Sequence, residues 1–194
     1  MENTKEQILR VALSLFSRRG YEAVSVSDIA GELGITKGAL YRHYESKQAI
    51  FDAILRRMEE RDTELAEADH VPLAGEESRA SLENIIAFSK TMLRYWTEDA
   101  FARDFRRMLT IEQYRSRELT ALYHQYLGSG PVEYVSMMLR ELGMERAEET
   151  ARLICGVMHI GYAAYDGSEQ PERELKITEM ILEQFLIADC KSHG

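Results

Sequence analysis

An all-helical fold is predicted by three observations on the sequence. Apolar residues recur at helical spacing along nearly all of the 194 residues, and the alternation of half-buried strands is missing. Capping residues and glycines stand where helices would start and stop. The balance of 45% hydrophobic to 29% charged residues suits a folded, soluble, globular chain rather than a disordered or fibrous one.

Taken in order, Thr4-Lys-Glu-Gln7 reads as a capping box that opens a first helix with a stripe of Ile8, Ala12, Leu15 and Phe16, stopped at Gly20. After a connector, Tyr21 to Val26, Ser27 is expected to cap a short second helix whose inner face is Ile29, Ala30 and Leu33, ended by Gly34. Thr36 caps a third, Lys37 to Tyr44. Ser46 caps a fourth, which runs to about Asp69 with Ile50, Phe51, Ile54, Leu55 and Met58 inward. His70 to Gly75, with a proline and a glycine, is the best linker candidate. Further helices are expected at about 76–96, 99–113, 115–127, 131–142, 146–165 and 171–189. Gly128-Ser-Gly-Pro131 should break the series, and Pro171 suits a first helical position.

No apolar run approaches the roughly 18 to 20 residues that span a bilayer, and the start Met1-Glu-Asn-Thr-Lys does not read as a signal peptide, so no membrane partner is expected. A cytoplasmic chain is the expectation. Cys155 and Cys190 are too few and too isolated for a disulfide framework or a zinc cluster, which fits a reducing compartment. The net charge of −9 argues against a nucleic-acid partner until its distribution is examined. Residues 1–57 carry +2 and the remainder −11, so the N-terminal part alone could approach phosphates.

Two short capped helices about four residues apart, with a glycine at the turn, meet the requirements of a helix-turn-helix. Ala30 is small where the helices approach. Ile29, Leu33, Ile35 and Leu40 would form a miniature core, and Gly34 permits a left-handed turn. That leaves Lys37, Tyr41, Arg42 and His43 on the outer face of the third helix. Ser27-Asp-Ile-Ala30, Gly34-Ile-Thr-Lys-Gly-Ala-Leu-Tyr-Arg-His-Tyr44 and Ser46-Lys47 together resemble the N-terminal signature of the TetR family of regulators, over about residues 4–58. Tyr44 departs from the phenylalanine more usual there.

The resemblance implies that Thr36, Lys37 and Lys47 hold the DNA backbone, helped by main-chain N–H groups, and that Gly38 lets the backbone come close. Tyr41, Arg42 and His43 would lie in or beside the major groove, with Arg42 the best candidate for a guanine edge. Ser25 and Ser27 would reach neighbouring phosphates or bases, and Tyr44 would pack its ring between helices with its hydroxyl near DNA. The resemblance also implies an organisation. A helix-turn-helix core over 1–46 extends through the fourth helix to about 63, and residues 64–194 form a larger helical effector-binding and dimerisation domain.

In that larger part, aromatics and methionines are dense between Leu93 and Tyr165. Tyr95, Phe105, Met108, Tyr123, Tyr126, Tyr134, Met138, His159 and Tyr162 are the candidate lining of a cavity for a small organic effector, although aromatics at helical spacing are also ordinary core. Cys155 and His159 lie four apart without a third ligand, so no metal is expected, and no cofactor. Ile154, Met158, Gly161 and Tyr165, then Ile177, Ile181 and Phe185, form apolar stripes on the last two helices. They are the candidate homodimer interface, which the resemblance places across a two-fold axis, or else they pack inward.

The expected function is therefore a ligand-responsive repressor that leaves a palindromic operator on double-stranded DNA when it binds its effector. An enzyme using the aromatic cavity is the competing class, but no nucleophile elbow, phosphate loop, dinucleotide fingerprint or paired metal motif supports a catalytic residue. A DNA-independent interaction protein is the third class, and the intact basic, capped region argues against it.

Overall fold

The computed structural model of the protein describes residues 4–68 and 81–192. Its elements are the helices α1 (Thr4–Arg19), α2 (Val26–Glu32), α3 (Lys37–Tyr41), α4 (Lys47–Ala68), α5 (Leu82–Glu98), α6 (Ala100–Glu112), α7 (Arg117–Leu127), α8 (Ser129–Glu141), α9 (Ala147–Gly167) and α10 (Pro171–Ser192). The expected linker His70 to Gly75 and the expected helical start at 76 lie outside the described residues. The chain divides into two compact units, one made of Met1–His70 with Ala100–Tyr123, the other of Val71–Asp99 with His124–Gly194.

In the first unit α1 is the central element, packed against α2, α4 and α6. Ile8, Ala12, Leu13 and Phe16 on α1, Ile50, Ile54 and Met58 on α4, and Phe105, Met108 and Leu109 on α6 are all buried. Together they remove a continuous apolar surface from water, the main driving force for assembling these helices. Gly20 and Gly34 close α1 and α2 with φ of +80° and +65°, a left-handed backbone that side chains with a Cβ resist.

Two local expectations change. Ser25, not Ser27, caps α2: the Ser25 hydroxyl accepts the Asp28 N–H at 3.1 Å while the Asp28 carboxylate takes the Ser25 N–H at 2.7 Å. The acid three residues on gives Ser25 a reciprocal box that Ser27 lacks. The third helix ends at Tyr41 rather than Tyr44, because α4 starts at Lys47 behind its cap, Ser46, whose hydroxyl accepts the Ala49 N–H at 3.0 Å. Residues 42–45 are used to make that turn.

In the second unit α9 packs against α5, α8 and α10. Ile154, Cys155, Met158 and Tyr162 face inward with Ile85, Leu93, Val135, Met138, Leu182 and Leu186. Helices α9 and α10 pack closely at Gly161, where an added Cβ would lie 2.5 Å from the Thr178 methyl. Ion pairs at 2.6 Å, Lys90 to Glu183 and Arg94 to Glu179, tie α5 to α10.

Candidate nucleic-acid interface

The helix-turn-helix is assembled from short-range forces. Ile29, Ala30 and Leu40 are buried between α2 and α3, with Leu33 and Ile35 half-buried beside them. The turn is closed by Gly34 N–H to the Gly31 carbonyl at 3.1 Å and Ile35 N–H to the Ala30 carbonyl at 3.0 Å. Thr36 then caps α3, its hydroxyl accepting the Ala39 N–H at 3.1 Å.

With Leu40 turned inward, Thr36, Lys37, Gly38, Tyr41 and Arg42 are left in solvent, and Ser25 and Ser27 are exposed on the α2 side. Tyr41 is 42% exposed, a large apolar ring where the miniature core could have taken it. The Lys37 ammonium sits 5.7 Å from the centre of that ring, so one turn of α3 presents a cation beside an aromatic face. Among the described residues Arg42 forms no ion pair, which leaves its guanidinium available as a planar donor. His43 is half-buried beside it.

Three expected site residues also make contacts within the protein. The Ser25 hydroxyl is occupied by the α2 cap. Tyr44 is half-buried, and burial pushes its hydroxyl pKa up, with Glu6 of α1 adding to the rise and Arg56 of α4 opposing it. Lys47 donates to the Tyr21 carbonyl at 2.8 Å and stands 4.2 Å from the centre of the Tyr21 ring. Tyr21 itself, read from sequence as mere connector, packs edge-on against Phe16 and Phe51 and bonds Gln48 through its hydroxyl.

Residues 8–54, which contain this whole arrangement, match the family of bacterial regulatory proteins called the tetR family. That match takes in about a quarter of the chain. Over 85 residues it is 36% identical to the HTH-type transcriptional repressor KstR2 of Rhodococcus jostii (strain RHA1), a stretch covering 44% of this chain and 41% of that repressor. The likeness of fold extends further than the likeness of sequence. A TetR-like transcriptional regulator from Rhodococcus sp. RHA1 shares the fold over 98% of both chains, with a TM-score of 0.72 at 19% identity. The SmeT–triclosan complex does so over 96% of this chain and 91% of its own, with a TM-score of 0.68 at 22% identity.

Against this TetR frame, the residues expected to line an effector cavity fall into both units. Phe105 and Met108 are fully buried in the first unit, which also includes Tyr123. Tyr95, Tyr126, Tyr134, Met138, His159 and Tyr162 belong to the second, where Trp96 stacks edge-on with Tyr95 and Tyr126, and His159 lies 5.7 Å from Tyr162. Two depressions in the second unit use other residues: one of about 260 Å³ between α8 and α9, with Ser136, Arg140 and Arg152, and one of about 670 Å³ along the start of α10. The His159 ring nitrogen Nδ1 is 2.9 Å from the Cys155 carbonyl, and burial pushes the Cys155 thiol up to about 11, which makes it an inert core thiol. Among the described residues, no three His, Cys, Asp or Glu side chains are placed to hold a metal ion.

The expected interface residues divide as well. Ile154, Met158 and Gly161 are buried inside the second unit. Tyr165, Ile177 and Phe185 are half-buried, and Ile181 is exposed. Among the described residues of α9 and α10, the large apolar side chains that are exposed are Leu153, Ile160, Met180 and Ile181, with Ile160 73% exposed. Leu153 and Ile160 are seven apart, which places them on one face of α9.

Proposed function

We propose that the chain is a sequence-specific, DNA-binding transcriptional regulator, a cytoplasmic homodimer released from a palindromic operator by a small organic effector. The observation that carries this is the outer face of α3, where Lys37, Tyr41 and Arg42 stand in solvent on a helix held by its cap and by buried Leu40. Phosphate contacts would come from Thr36 and Lys37, and base readout from Arg42 and Tyr41. KstR2 is named a repressor, which supports repression here.

The exposed apolar residues of α9 and α10 supply a surface that a two-fold-related copy would cover, since large aliphatic side chains gain by leaving water. The similarity of fold to a regulator crystallised with triclosan supports an aromatic or otherwise apolar effector, bound in the larger helical part from residue 64 onward.

Selection of bound duplexes from random DNA by the full chain tests the proposal. The expected result is a palindrome with half-sites about 34 to 36 Å apart, for which the double variant Lys37→Ala, Tyr41→Ala loses affinity. Enrichment of no sequence, or binding untouched by the double variant, would overturn it.

A further inference from the structure

We propose that Glu112 is a positioning residue for DNA binding: through Tyr21 it fixes the Lys47 ammonium where a phosphate can meet it. The inference rests on the DNA-binding reading of α3 given above.

The geometry is a chain of two hydrogen bonds through one residue. Glu112, at the last position of α6, is only 1% exposed, an expensive place for a carboxylate unless donors surround it. Its Oε1 accepts the Tyr21 N–H at 2.9 Å across 91 residues of sequence, and its Oε2 pairs with Arg115 at 3.1 Å. On the far side of the Tyr21 Cα, the Tyr21 carbonyl accepts from Lys47 Nζ at 2.8 Å. The seat is shaped for this contact, because a Cβ on Gly20 would lie 2.8 Å from the Glu112 oxygen.

Lys47 is consequently neither a free surface lysine nor a spent one. An ammonium has three N–H donors. One goes to the Tyr21 carbonyl and a second reaches the Glu22 carbonyl at a long 3.5 Å, while the ring 4.2 Å away attracts the charge and leaves a donor over. The remaining donor belongs to a charge whose place is already fixed before DNA arrives, and fixing it in advance lowers the ordering cost of binding. The Tyr21 ring is seated by Phe16, Phe51 and Gln48, and Glu112 fixes the backbone N–H of the same residue. The carboxylate touches no DNA, so its effect must pass through Lys47.

The test is a double-mutant cycle on the full chain with the selected operator duplex, read as affinity against salt. Glu112→Asp keeps the charge but draws the oxygen back by one methylene, and Lys47→Ala removes the ammonium. Each is expected to bind about tenfold more weakly, with the slope of log affinity against log salt shallower by roughly one per chain. Combined, they should lose no more than Lys47→Ala alone. Glu112→Gln, whose amide oxygen accepts the same N–H, should recover affinity relative to Glu112→Asp. Melting curves confirm that each variant is folded at the binding temperature, and a Glu112→Ala variant that failed to fold would leave the decision to Glu112→Asp. The inference is overturned if Glu112→Asp binds with unchanged affinity and slope, or if the two losses multiply. If the unsubstituted chain selects no sequence, the DNA-binding reading has failed as well. If the chain binds and only the Lys37, Tyr41 pair matters, the link alone has failed.

Discussion

Asp28 shows how a single side chain both builds the interface and makes it sensitive to acid. Hydrogen bonds from the Ser25 hydroxyl and backbone, then the Arg19 charge, hold its carboxyl below the usual carboxylate range. A lowered folded-state pKa means that the stabilisation is complete above the unfolded value and is lost as pH falls through the folded one. The chain should therefore lose melting temperature as pH falls below about 4, the ordinary range of an aspartate, and Asp28→Asn should show a smaller loss there because it cannot titrate. An equal acid sensitivity in both proteins would remove Asp28 from the account. This box was legible in sequence, since Ser25 has an acid at the third position and Ser27 does not. Glu112 was not legible. Nothing within a few residues of a glutamate at 112 announces that a tyrosine N–H at 21 will meet it, and burial of a charge is a tertiary fact.

At the scale of the element, α9 explains why periodicity found the helix but not its faces. Leu153, Ile154, Val157, Met158, Ile160 and Tyr162 put apolar groups nearly all round it, so the sequence shows two candidate stripes about 100° apart and no rule for choosing between them. Packing chooses: Ile154 and Met158 go inward, Leu153 and Ile160 outward. The two faces should therefore respond differently to charge. Leu153→Asp with Ile160→Asp is expected to yield a folded monomer by light scattering after gel filtration, whereas a dimer that survived would refute that face as the contact. Gly161→Ala tests the inward side. Its new methyl would meet Thr178, so overpacking should cost about 1 to 3 kcal/mol in denaturant melts. A cost near zero would mean that α10 can simply move aside. By contrast α3 was readable almost to the residue, because its cap, turn glycine and single buried leucine are all local in sequence. Its premature end at Tyr41 was not, since that is set by where α4 must begin.

For the whole molecule, charge and connectivity act over longer distances than any single contact. The −11 of residues 58–194 repels a polyanion, so phosphate contacts can come only from the stretch of residues 1–57 with its +2, and those contacts release counterions and weaken as salt rises. Doubling the salt concentration from about 0.1 M should weaken operator binding several-fold, measured by fluorescence anisotropy. A flat response would place the binding energy in apolar contacts. The sequence made the charge split visible but not the packing map. It predicted a head ending near residue 63, and nothing in the order of helices announces that α6 is packed on α1.

That packing has a consequence for modular use of the head. Because the first unit is built from two separate stretches, Met1–His70 and Ala100–Tyr123, no single cut liberates it. A polypeptide stopped after residue 70 loses Phe101, Phe105, Met108 and Leu109 from its interior, together with the glutamate that grips Tyr21. Such a fragment should give poorly dispersed amide spectra, while one reaching residue 123 keeps every buried side chain of the unit. Exchanging a few exposed residues of α3 would leave this unit's interior intact, whereas transplanting residues 1–70 alone onto another protein would not carry that interior along.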